Sequence, residues 1–347
     1  MEKINLTGLT QEELEQFAVD HGEKSFRGRQ LFSWIYQRKA TNFGEMTNLS
    51  KTLRNKFQNL ATIGQLQIAE KSQSPASDSI KYLFRLQDGN LIESVFISES
   101  NRRTLCVSSQ VGCALKCTFC ATGKLGLKRN LTAGEIVDQV ICVERDTGLE
   151  LTNIVFMGMG EPFKNYENVI QSAYLMNHEN GIAIGTRHIV ISTVGIIPAL
   201  YRYTDEGHRF KLAISLHSPF NKDRQKLMPV SAKYDVDKLI DAVKYYMKKS
   251  RHRPTFQYVL IDGINDRNKD AHGVRKLLQG IRCKVNLIPY NPTVPAFKRP
   301  PREHVDQFAQ WLMPIHAPIS VRWSKGDDIE AACGQLAGKF VETPEMT

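Results

Sequence analysis

The chain has 347 residues, 41% hydrophobic and 24% charged, an ordinary globular composition with enough length for a large core. No apolar run approaches the ~20 residues of a membrane helix, and the start MEKINLTGLTQEELEQF has no secretory core, so a cytoplasmic protein with no membrane partner is expected. The net charge of +10 favours a polyanionic partner, nucleic acid first, although a merely basic enzyme carries the same balance.

In chain order, residues 1–60 read as helical. Thr10 precedes QEELEQF, with Glu13 three residues on, which predicts a capping box. FRGRQLFSWIYQRK then mixes aromatics with cations, the pattern of an RNA-facing module or of an amphipathic helix with its aromatics turned inward. KSQSPASDS at 71–79 is polar and turn-rich and predicts a linker. IKYLFRL and LIESVFI, joined by QDGN, predict a β-hairpin.

From residue 104 the pattern changes. TLCVSS, TNIVFM, HIVIST, KLAISL, TFQYVLI, CKVNLI and ISVRW are short β-rich runs separated by helical segments. That alternation predicts a parallel sheet with right-handed crossovers, and its length suits an open α/β barrel. Functional residues then belong in the loops at the C-terminal ends of strands. The expected domains are a basic helical RNA-binding module at 1–70, a linker and hairpin at 71–103, and the barrel with a C-terminal cysteine segment at 104–340.

Seven cysteines, an odd number, argue against a disulfide framework. Cys142 and Cys283 lie in apolar runs and read as core. Cys113, Cys117 and Cys120, in CALKCTFC, gather in the loop after the first barrel strand. Three thiolates leave one iron of a four-iron cluster open to a chelating ligand. A zinc site borrowing a distant His or Cys is the competing reading. Cys-x3-Cys-x2-Cys is the spacing of radical S-adenosylmethionine (SAM) enzymes, which this segment resembles. Phe119, between the last two thiols, fits either a shield over the cluster or a structural aromatic.

Other strand ends offer contacts for SAM. Gly158, Gly160 and Glu161 lie in FMGMGEP, where small residues allow close backbone approach and Glu161 can accept an ammonium. Ser192 ends HIVIST, Ser215, Leu216 and His217 follow KLAI, and Asn291 follows NLIPY. Each also fits an ordinary cap or core role. Cys106, Cys333 and Glu93 have no assignment from the residues alone: a buried turn around AACG and a polar position on an alternating strand account for the last two.

Taken together, GEKSFRGRQLFSWIY, CALKCTFC, FMGMGEP, ISTVG, SLHSP, IPYNP and DDIEAACGQL resemble the RlmN/Cfr family of radical SAM RNA methyltransferases over nearly the whole chain. The resemblance implies a partial, open TIM-type βα barrel of the radical SAM type with a small helical N-terminal domain. It implies one [4Fe-4S] cluster on Cys113, Cys117 and Cys120, and two SAM molecules per turnover, held by Gly160, Glu161, Ser192, Ser215, Leu216, His217 and Asn291. It further implies that Cys333 forms an S-methylcysteine intermediate, that Cys106 resolves it through a transient disulfide, and that Glu93 is the proton acceptor. The expected reaction is methylation of adenine carbon 2 in 23S rRNA, free or in early assembly, and in tRNA. The expected electron donor is an external flavodoxin-type protein, and the enzyme is expected to be a monomer. The carbon-8 branch of the same family, which confers antibiotic resistance, and a non-enzymatic zinc-stabilised RNA-binding module are the alternatives.

Overall fold

A computed structural model describes residues 3–64, 66–315 and 317–337, so the expected barrel end at 340 lies outside the described residues. Seven strands, Arg102–Cys106, Asn153–Phe156, Ile189–Thr193, Lys211–Ser215, Thr255–Leu260, Lys284–Pro289 and Ile319–Val321, lie parallel and side by side in chain order. Parallel neighbours need long crossovers, and the helices Ala133–Thr147, Tyr166–Asn177, Ile197–Asp205, Val236–Lys249, Asn268–Leu278 and Arg302–Leu312 supply them. Ile154, Ile191, Ile214 and Leu287 are fully buried between strands and helices. The crossover helix Ala133–Thr147 starts at a capping box, Thr132 with Glu135, as TAGE implies.

Three antiparallel strands, Gln67–Gln73, Ser79–Arg85 and Leu91–Glu99, extend the same sheet to ten. The two edge strands, Gln67–Gln73 and Ile319–Val321, do not pair with each other, so the barrel is open. The hairpin predicted at QDGN is present, with Ser79 opposite Ile97 and Arg85 opposite Leu91.

The linker predicted at 71–79 is not what the chain forms. Gln67–Gln73 is a strand that crosses the expected 70/71 boundary, and only residues 74–78 form a loop. Six of its seven residues are exposed, so no apolar alternation marks it. Its backbone ladder holds it, and a Lys71–Asp146 ion pair at 2.9 Å flanks it. A charged side chain is a common way to blunt an edge strand.

The N-terminal module packs the helices Gln11–Asp20, Phe26–Phe32 and Lys51–Leu60 and ties them with a short parallel pair, Ile4–Asn5 with Ala61–Thr62. The capping box of Thr10 and Glu13 is present. Leu31, Phe32, Trp34, Ile35 and Tyr36 are buried, so these apolar residues build the module's core and do not face RNA. Phe26 alone stays 37% exposed, beneath the Arg27 guanidinium.

This module docks on the outside of the barrel. Gly8 and Gly134 meet backbone to backbone: a Cβ on Gly134 would sit 2.1 Å from the Thr7 carbonyl oxygen, and one on Gly8 2.5 Å from the Gly134 nitrogen. Gln171 Nε2 donates to the Gly8 carbonyl at 2.9 Å, and Lys39 pairs with the buried Glu144 at 3.0 Å. Gly134→Ala should therefore lower the melting temperature by several degrees, although alanine is favoured over glycine within a helix by about 1 kcal/mol. An unchanged or higher midpoint in a thermal melt would show that the interlock is not needed.

Candidate active site

The cysteine loop is pinned at every turn. Cys113 ends a short strand, Gln110–Cys113, that pairs antiparallel with Gly126–Asn130. Lys116 takes the left-handed region at φ 55°, which bends the loop back. Thr118 N donates to the Leu227 carbonyl at 2.9 Å, and Ala121 N to the Gly334 carbonyl at 2.7 Å. Cys113 is buried, and Cys117 and Cys120 are half-buried. Burial pushes the Cys113 thiol up to about 12 and raises Cys117 and Cys120; Cys113 and Cys117 also feel the charges of Cys120 and Glu161, and Cys120 that of Cys333.

The loop FMGMGEP follows Asn153–Phe156 and crosses the end of the first barrel strand. Its glycines are required by protein neighbours. A Cβ on Gly158 would lie 2.7 Å from the Val107 carbonyl oxygen, and one on Gly160, at φ 104°, would lie 2.6 Å from Gln110 Cβ. Glu161 is buried and its carboxylate accepts from the backbone N–H groups of Phe163 at 3.1 Å and Val194 at 2.9 Å. Desolvation lifts its carboxyl to about 7. Glu161 thus laces this loop to the end of Ile189–Thr193.

Ser192 and Ser215 are half-buried at the ends of adjacent strands. Leu216 is fully buried, so it offers backbone only. His217, at φ 55°, is buried; its Nδ1 accepts from Val259 N at 3.0 Å, which leaves the proton on Nε2. Burial, with the Arg224 charge, pushes the imidazole down to about 3, so it is neutral at physiological pH. Phe119 meets this ring edge-on at 5.0 Å. Asn291 is buried and its amide already donates to Ser324 Oγ at 2.9 Å and to the Cys333 carbonyl at 3.0 Å.

The C-terminal segment brings the remaining residues in. Cys106, at the end of Arg102–Cys106, and Cys333 are both free thiols and line one small cavity with Val155, Met157 and Arg322. Burial pushes Cys106 up to about 12, Cys333 adds to the rise, and Arg322 opposes it. Glu93 is buried, with Oε2 accepting from Ala337 N at 2.9 Å and Oε1 lying 3.6 Å from Lys81 Nζ. The cysteine loop, the Cys333 segment and Glu93 therefore converge on one mouth of the barrel, at the strand ends.

Several groups at this mouth carry no sequence signal. Gln110 Oε1 accepts from Glu161 N, Lys81 faces Glu93, and Arg322 faces Cys106. Each is one polar residue among many in its segment. Not every cation near this mouth is free to meet RNA: Arg129 binds Asp88 and Glu135, and Arg299 binds Asp327. Lys124 and Lys298 are exposed.

The thiol set suits an iron–sulfur cluster. Burial favours the neutral thiol at each of three soft donors on one short loop, and a metal held there would take the place of their protons. One zinc draws its thiolates into a single tight tetrahedron, whereas a four-iron cube spreads them over separate corners.

Known proteins agree with this geometry. Residues 4–63 match the ribosomal RNA large subunit methyltransferase N-terminal domain, and residues 107–272 match the radical SAM superfamily. The chain is 45% identical over 339 residues, 97% of its length, to a probable dual-specificity RNA methyltransferase RlmN of Clostridioides difficile (strain 630), covering 98% of that protein. It is 46% identical over 343 residues to the protein of that name from Alkaliphilus oremlandii (strain OhILAs), covering 99% of this chain and 100% of the relative. A crystal structure of a radical SAM methyltransferase from Sphaerobacter thermophilus superposes with a TM-score of 0.93 at 43% identity, covering 97% of this chain and 100% of that one. The chain belongs to the RlmN family of radical SAM RNA methyltransferases.

Proposed function

We propose that this enzyme methylates carbon 2 of adenine in 23S rRNA and in tRNA, and that Cys333 carries the one-carbon unit. The observation that carries the reading is the shared cavity of Cys106 and Cys333 beside a loop of three thiols, with Glu93 bonded to the same C-terminal segment. The relatives named as dual-specificity RNA methyltransferases support RNA as the substrate class.

Adenine carbon 2 is electron-poor and has no lone pair, so it cannot attack a methyl sulfonium directly. A cysteine that accepts the methyl group first removes that obstacle, and Cys333 is half-buried at the mouth where a flipped base would enter. Cys113, Cys117 and Cys120 would hold the [4Fe-4S] cluster and leave one iron for SAM, whose second equivalent supplies, when bound, a radical able to take hydrogen from the S-methyl group. Ser192, Ser215 and the Nε2–H of His217 are the polar groups at the strand ends that can meet the nucleoside and carboxylate parts of SAM. Gly160, Glu161, Leu216 and Asn291 would shape that site mainly through backbone and through their bonds to the protein.

Once the Cys333-borne methylene radical had bonded to carbon 2 and the adduct had given one electron back to the cluster, Glu93 would take the proton from carbon 2, in the general-base role. Its Ala337 N–H bond must yield to the substrate. Cys106 would then attack the Cys333 sulfur; the sulfur–carbon bond of the protein–RNA link would break with its electron pair on the transferred carbon, which would take up a proton to become the methyl group, and a disulfide would be left for a reductant to clear. A low-potential external reductant, of flavodoxin type, fits the need for single electrons.

Product mapping by mass spectrometry tests the regiochemistry: 2-methyladenine is expected, and 8-methyladenine would replace this reading with its carbon-8 counterpart. Cys333→Ala should retain its iron and its visible absorption yet methylate no RNA. Cys106→Ala should accumulate an RNA–protein adduct that survives denaturing gels; normal turnover in either variant would rule out the two-cysteine route.

His217 gives a pH test. Its folded pKa lies near 3, below the unfolded value near 6.5. The stability it contributes is therefore present above about pH 6.5 and is lost as pH falls toward 3. His217→Gln should flatten that part of the acid-unfolding curve, measured by circular dichroism; a curve parallel to the wild type would show that the histidine is not buried in its neutral form.

A further inference from the structure

Arg224 lies on the short helix Asn221–Leu227, and its side chain is fully buried. All five of its N–H donors are used inside the protein. Nε donates to the Leu216 carbonyl at 3.1 Å, Nη1 to Ser231 Oγ at 2.8 Å and the Tyr234 carbonyl at 3.1 Å, and Nη2 to the Val194 carbonyl at 2.6 Å and the Ser215 carbonyl at 3.2 Å. Every acceptor is neutral. A buried ion normally has a counter-ion, and no carboxylate lies within ion-pair distance of this one among the described residues. With no donor left, the guanidinium cannot grip a ligand directly, yet its charge is uncompensated.

The group this charge faces is the cysteine loop. Cys117 and Phe119 pack against the apolar cluster of Leu227 and Met228, at the C-terminal end of the helix that carries Arg224. The loop is fastened to the same helix through Thr118 N and the Leu227 carbonyl. Arg224 also binds the carbonyls that follow Ile189–Thr193 and end Lys211–Ser215, next to Ser192 and His217.

We propose that Arg224 is a positioning residue that fixes these two strand ends and supplies the buried positive charge that makes the cluster on Cys113, Cys117 and Cys120 easier to reduce. This rests on the cluster assignment above. A fixed cation near an iron–sulfur centre stabilises the state with the extra electron, so net charge and burial set the potential.

The test is an EPR-monitored redox titration of the purified holoprotein with dithionite as the one-electron reductant, alongside a thermal melt. Arg224→Gln should lower the reduction equilibrium constant at least tenfold, a fall of about 59 mV for one electron. Arg224→Lys, which loses bonds but keeps the charge, should melt lower while its potential stays near the wild type. Ser231→Asp places a carboxylate against the guanidinium with Arg224 still present, and it should lower the potential without unfolding the protein, which keeps the test alive if Arg224→Gln does not fold. A wild-type potential in Ser231→Asp or in Arg224→Gln would overturn the proposal and leave Arg224 purely structural. Wild-type protein that assembles no iron–sulfur cluster would instead overturn the cluster assignment itself.

Discussion

A parallel sheet of seven strands runs out before it can close on itself, and the C-terminal segment fills the gap. After Ile319–Val321 the chain crosses to the opposite edge. Ser74 Oγ donates to Asp328, Gly326 packs against Ser79, Lys325 pairs with Glu99, and Lys81 reaches the Glu330 carbonyl. The same segment then passes over the mouth, where Asn291 holds the Cys333 carbonyl and Ala337 caps Glu93. Bridging the open side of the barrel and placing Cys333 at its mouth are thus the work of one segment.

The mouth gathers ionisable groups that water would ordinarily solvate. Cys106, Cys113 and Glu161 are buried there, and Cys117 and Cys120 are half-buried. Burial favours the neutral form of each. Metal ligation and thiolate chemistry need the charged form. Three cations lie among them: Lys81 faces the buried Glu93, Arg322 lies beside Cys106, and the buried Arg224 sits on the helix to which the cysteine loop is fastened.

Much of this architecture is legible in the sequence because its signals are local. TNIVFM and HIVIST announce strands by β-branched runs, and Thr132 with Glu135 announces a helix start. CALKCTFC is legible because its spacing is itself the chemistry. Gln67–Gln73 is not, since an edge strand held by its backbone needs no apolar pattern. Arg224 is hidden for a related reason: NKDRQKL holds Lys222 and Lys226 as well, and nothing local says which cation turns inward. Glu161 and Asn291 read as ligand contacts, while their hydrogen bonds go largely to the protein's own chain. Residue type predicts what a group can bond and leaves open which partner it finds.

The meeting of Gly8 with Gly134 has a mechanical consequence. Two main chains at van der Waals distance, with no side chain between them, leave no slack for a swivel. A rotation of the accessory module on the barrel at this point would drive one main chain into the other. An RNA that touched both would have to match a separation already cut into the protein.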